Sequence, residues 1–68
     1  SEVHITRQKW AVDVDVFLDD APHVLRYLVE RRPDAVVCRY VRPWNHPLAG
    51  VVDVADWSTF AAVVEGTG

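Results

Sequence analysis

Val14-Asp15-Val16-Phe17-Leu18-Asp19-Asp20-Ala21-Pro22-His23 is the stretch that decides how this chain folds. Val14, Val16, Phe17 and Leu18 predict a strand that stops at Asp19-Asp20, with two carboxylates at its carboxyl end. Pro22 has its φ fixed near the helical value and no N–H to lose, so a helix begins there, and Asp20 stands where a cap belongs. Val24, Leu25, Leu28 and Val29 fall on one stripe of that helix, while Arg26, Glu30 and Arg31 lie away from it. Pro33 disfavours helical backbone in the residue before it, which ends the helix near Arg32. Ala35-Val36-Val37-Cys38 is a continuous run of small apolar residues, the pattern of a strand buried on both faces. Strand, helix and strand in succession predict a right-handed crossover between parallel neighbours.

Towards the amino end, Val3-His4-Ile5-Thr6 alternates apolar and polar residues and reads as a strand ended by Arg7-Gln8-Lys9, with Trp10 to Asp13 as a connector. Towards the carboxyl end, Tyr40 to Gly50 contains Pro43, Trp44, Asn45, Pro47 and Gly50, too many breakers for regular structure, and reads as a loop with aromatic anchors. Val51-Val52-Asp53-Val54 is either a short edge strand or an extended lead-in. Asp56 then caps a last helix carrying Trp57, Phe60, Ala61, Val63 and Val64, with Gly66 as its stop. The expected fold is α/β: about three mainly parallel strands with two helices, in a single domain over residues 1–68.

The composition narrows the function. The 68 residues carry seven Lys plus Arg against ten Asp plus Glu, a formal charge of −3 that opposes binding to nucleic acid, where clustered cations meet phosphates. No apolar stretch approaches the ~20 residues of a bilayer span, and Ser-Glu-Val-His does not open a signal peptide, so the expected location is cytoplasmic with no membrane partner. Cys38 is the only cysteine, which rules out an internal disulfide and a Cys-x-x-Cys metal site. His4, His23 and His46 show no helix or hairpin ligand spacing with one another or with Cys38. Cys38 lies in an apolar run and reads as a core residue. Trp10, Trp44 and Trp57 read mainly as core anchors, any exposed one marking a binding patch. Arg39 and Arg42 flank Tyr40, where they are either solvated or in contact with an anion.

Two adjacent carboxylates repel one another, and a hard cation such as magnesium would relieve them; capping of the next helix accounts for one of the two without metal. Ligands in open parallel sheets bind beyond the carboxyl ends of the strands, which is where Asp19 and Asp20 fall. Lys9 follows the first strand and would stand at the same edge if the strands ran parallel, a cation able to steady a carboxylate or a phosphate.

Lys9, the ten-residue step to Asp19, and Phe17-Leu18-Asp19-Asp20-Ala21-Pro22-His23 together resemble the third and fourth motifs of the haloacid dehalogenase superfamily. The likeness is greatest to its 5'(3')-deoxyribonucleotidases and extends through Pro43-Trp44-Asn45 and Asp56-Trp57. It implies a truncated Rossmann-like half-domain. By the same resemblance Lys9 would stabilise phosphate and nucleophile, Asp19 would bind Mg2+ and Asp20 would support it. That family's nucleophile, in an Asp-x-Asp after a buried strand, has no counterpart here: Asp13-Val14-Asp15 lies between the third and fourth motifs and reads as a solvated pair. The second-motif Thr or Ser is missing as well. Phosphoryl transfer then lacks its covalent step, and the chain alone is expected to be inactive.

In the family two further strands separate the equivalents of Val3-Thr6 and Val14-Leu18. The inner edge of Val14-Leu18 would then be open to another strand. It would be filled by the amino-terminal strand, by a second copy in a homodimer, or by a protein partner completing the sheet; self-association is preferred. The functional expectation is a catalytically incomplete module acting through protein association. The alternative is a fragment or split subunit of a magnesium-dependent 5'-nucleotidase.

Overall fold

Only two residues separate the first two strands, and that distance decides the sheet. A computed structural model describes residues 2–9 and 12–67. Within it β1 (Val3–Lys9) and β2 (Val12–Asp19) form an antiparallel pair, with Val3 opposite Leu18, Ile5 opposite Val16 and Lys9 opposite Val12. Parallel neighbours need a crossover of a dozen or more residues, which a two-residue connection cannot supply. Arg7, Gln8 and Lys9, expected to end the strand, belong to it, because an edge strand tolerates polar residues on its solvated face: His4, Thr6 and Gln8 are exposed. The connector role given to Trp10 and Ala11 lies outside the described residues, whereas Val12 and Asp13, also read as connector, belong to β2 and pair with Lys9 and Gln8.

From β2 the chain enters α1 (Pro22–Arg31) and returns as β3 (Val36–Tyr40), parallel to β2. The loop 41–51 leads to β4 (Val52–Val54), which pairs parallel with β3, so the short-strand alternative is the one adopted. The last element is α2 (Trp57–Thr67). The sheet therefore has four strands in the order β1-β2-β3-β4, of which β2, β3 and β4 are parallel. The protein is a mixed α/β fold with two helices, one strand richer than expected. The inner edge of β2, expected to be open, is paired with β1 along its length, so the amino-terminal strand fills it and not the second copy that was preferred there.

Alternation along the strands divides the core in two. Phe17 and Val37 point to one face, where Leu25 and Leu28 of α1 cover them, with Leu48 and Val51 of the loop packed alongside. Val16, Leu18, Cys38 and Val54 point to the other, under Phe60 and Val64 of α2. The helices thus lie on opposite faces. Gly50 takes φ +86°, a left-handed conformation, and a Cβ there would stand 3.0 Å from Val29 Cγ1, so the loop's approach to α1 requires glycine.

Local signals were met unevenly. Asp56 caps α2 as expected, its Oδ1 accepting from the Thr59 backbone N–H at 2.8 Å and from the Thr59 hydroxyl at 2.8 Å. These bonds hold its carboxyl below the usual range. Asp20 does not cap α1: the cap residue is Ala21, with no side-chain bond, and Pro22 fills the first helical position. Gly66 does not stop α2, which runs on to Thr67. Cys38 is fully buried, and burial pushes its thiol up to about 11, far from a thiolate nucleophile at neutral pH.

Candidate functional site at the carboxyl ends of the parallel strands

The register places three charged residues in one row across the parallel strands: Asp19 on β2 opposite Arg39 on β3, and Arg39 opposite Asp53 on β4. Arg39 is only 4% exposed. Its Nε and Nη2 each donate at 2.8 Å to the two oxygens of Asp53, a bidentate pair, and Nη1 donates at 2.7 Å to Asn45 Oδ1. The pairing lowers the Asp53 carboxyl and raises the guanidinium from their ordinary values. Arg39 is thus neither solvated nor left to meet an anion. A charge in the interior of a sheet must be paired, and the neighbouring strand supplies the partner.

Asn45 binds the strand ends together. Besides Arg39, its Oδ1 accepts from the Arg42 backbone N–H at 3.1 Å, and its Nδ2 donates to the backbone carbonyls of Asp20 at 3.2 Å and Tyr40 at 3.0 Å. One buried amide therefore joins the end of β2, the end of β3 and the loop. Its neighbours Trp44 and Pro43 are exposed.

Asp19 is also 4% exposed, and its Oδ1 accepts from the backbone N–H groups of Asp20 at 2.7 Å and Ala21 at 2.8 Å. It thereby fixes the turn from β2 into α1. Asp20, partly buried, faces the Arg42 guanidinium with Oδ2 3.9 Å from Nε. Arg42 lies over the Tyr40 ring, 4.1 Å from its centroid. Asp19, Asp20, Tyr40, Arg42 and Trp57 surround a small cavity of about 50 Å³, with Val3 at its side.

Lys9 does not join this group. Its backbone pairs with Val12 at the opposite end of β2, seven residues from Asp19, which is roughly 23 Å along a strand; its side chain lies outside the described residues. The parallel arrangement on which its proximity to Asp19 depended is absent. Asp19 Oδ1 is engaged by two N–H groups, Asp20 faces the Arg42 guanidinium, and among the described residues no three His, Cys, Asp or Glu side chains come together. Magnesium keeps several waters and takes one or two carboxylates, so Asp19, with Asp20 beside it, is the residue that would hold it here.

Asp15, read as solvated, is the centre of a second polar cluster. It shares a sheet face with Phe17 two residues on. Its Oδ1 accepts from the Thr6 hydroxyl at 2.8 Å and contacts His4 Nε2 at 3.0 Å, while Oδ2 accepts from Arg32 Nη2 at the end of α1. The Thr6 bond, then those of Arg32 and His4, bring its carboxyl down to about 2. His4 stacks on Phe17 with centroids 4.3 Å apart, and the Arg32 guanidinium stands 5.5 Å from the centroid of the same ring. Thr6 bonds the carboxylate rather than the imidazole, so the trio is not a nucleophile–base–acid relay. It ties β1, β2 and α1 together. The signal for it was Asp15's position, in phase with Phe17 and so on the face that α1 covers.

A wider concavity lies elsewhere. A groove of about 470 Å³ runs between β1 and α2, with Val3, Ile5 and Arg7 on one wall and Trp57, Ala61 and Glu65 on the other. Trp57, expected in the core, is 60% exposed there, its ring edge-on to Tyr40 and Phe60. No family model, curated protein or solved structure matches this chain.

Proposed function

We propose that this chain is a catalytically incomplete module of the haloacid dehalogenase type that acts by protein association, with a second copy of itself as the first partner. The observation that carries the reading is a contrast within one molecule. At the strand ends the buried polar groups answer one another: Asp19 with two backbone N–H groups, Arg39 with Asp53 and Asn45. Beside them the groove between β1 and α2 presents apolar surface and an exposed Trp57, the residue types that interfaces favour. The arrangement β2-α1-β3 followed by β4-α2, with helices on opposite faces, agrees with a Rossmann-like half-domain. Among the described residues no helix is long and apolar enough to cross a membrane.

The split-nucleotidase alternative has one observation in its favour: Asp19 and Asp20 stand at the carboxyl ends of parallel strands, where such sheets bind ligands. It requires the remaining ligands and the nucleophile from another polypeptide.

Sedimentation or light scattering across concentrations, together with an assay of nucleoside monophosphates with magnesium, tests the reading. Dimerisation without turnover is expected. Turnover by the purified chain that disappears in Asp19→Ala overturns catalytic incompleteness, and a monomer at every concentration overturns self-association. Turnover only on mixing with a separate amino-terminal half establishes the alternative.

A further inference from the structure

β1 stands at one end of the strand order, so its outer edge has no ladder partner among the described residues. The opposite edge is the three-residue β4, too short to extend far. β1 is seven residues long, and neither a bulge nor a proline interrupts it, so of the usual defences of an edge strand it keeps only the charges of Arg7 and Lys9 at its carboxyl end. Its odd residues Val3, Ile5 and Arg7 line the groove beneath α2, and Val3 and Ile5 are only half-buried in the chain alone. Arg7 Nε is buried with no hydrogen-bond partner among the described residues. An unpaired backbone edge therefore adjoins an apolar trough on one side of the sheet. A strand added there places its own alternate residues over that trough, because successive side chains point to opposite faces.

Resting on the reading of self-association above, we infer that the occupant is β1 of a second copy, joined antiparallel across a two-fold axis through Ile5, so that two four-stranded sheets become one. Residues directly opposed in an antiparallel pair share a face, so the apolar row stays on the α2 side only where odd residues oppose odd ones. Centring on Ile5 does this: Ile5 meets Ile5, Val3 meets Arg7 of the other copy, and His4 meets Thr6. No like charges oppose one another. The same register brings the second copy's Arg7 beside Val3, which borders both cavities together with the exposed Trp57. The outer part of that guanidinium then stands near an indole face, an attraction this register offers. Centring on Arg7 would instead set two cations against each other.

The experiment uses the full chain. Ile5→Cys places two thiols within disulfide reach, since opposed Cα atoms in an antiparallel pair stand about 4.5–5.5 Å apart; Cys38 is wholly buried and stays silent. Mild oxidation is expected to give a covalent dimer with Ile5→Cys and none with Gln8→Cys, whose copies would lie roughly 20 Å apart. Without any mutation, alternate backbone amides of β1 are expected to gain at least about tenfold protection from hydrogen exchange as concentration passes through the dimerisation range. Trp57→Ala is expected to weaken the dimer about fivefold while leaving the monomer folded. A dimer with neither the Ile5 cross-link nor protected β1 amides overturns this inference and leaves self-association standing; a chain monomeric throughout overturns both.

Discussion

Removing the Asn45 side chain beyond Cβ, in Asn45→Ala, should cost more than any surface change in this domain. The side chain makes four hydrogen bonds: one from the Arg39 guanidinium, one from the Arg42 N–H, and two to the carbonyls of Asp20 and Tyr40. A neutral bond contributes about 1 kcal/mol net and a bond to a charged group about 1.5–3 kcal/mol, which sums to about 5 kcal/mol. Water entering at the exposed loop would return part of that, leaving about 3 kcal/mol. The whole stability of a chain this size is about 3–10 kcal/mol at ~0.05–0.15 kcal/mol per residue, so the variant should stand near the edge of folding. Urea titration followed by tryptophan fluorescence measures it, with the denaturant slope checked for constancy. Asn45→Asp keeps an acceptor for Arg39 and the Arg42 N–H but loses both donors, so it should fall between parent and alanine. A loss below about 0.5 kcal/mol in Asn45→Ala, at unchanged slope, would falsify the view that this amide holds the strand ends together.

Two further outcomes follow from local geometry. Asp15 titrates at about 2 in the folded protein against an ordinary 3.8, so its stabilising effect is present above pH 3.8 and fades as the pH falls towards 2. The stability–pH curves of parent and Asp15→Asn should differ at neutral pH and converge at the acid end, and a gap undiminished at pH 2 would contradict the hydrogen-bonded carboxylate. Gly50→Ala forces an L side chain into φ +86° with its Cβ 3.0 Å from Val29 Cγ1. The left-handed backbone alone should cost about 1–2 kcal/mol, or a Tm lower by roughly 5–10 °C in a scan. An unchanged Tm would show that the loop adopts another conformation in solution.

What the sequence by itself determined was local. The apolar run Val16-Phe17-Leu18 closed by two acids, Pro22 at a helix start, the stripe Leu25 and Leu28, the buried Val37-Cys38 and the Asp56 cap are set by neighbours in the chain, and each lies where its pattern placed it. The link between β1 and β2 was hidden, because the polar Arg7-Gln8-Lys9 read as the end of a strand and Val12-Asp13 as a connector; only the extended strands leave two residues between them and exclude a parallel neighbour, and the family resemblance drew the reading the same wrong way. Pairings between distant residues belonged to the tertiary structure. Arg39 finds Asp53 and Asn45 only because β3 and β4 stand in that register, and Asp15 gathers Thr6, His4 and Arg32 only because a hairpin and a helix end meet over it. Whether Trp57 lies in a core or beside an open groove depends on how far α2 covers β1, and no window of sequence contains both. Periodicity reports which face a residue occupies; what stands opposite that face is fixed by the packing of the whole sheet.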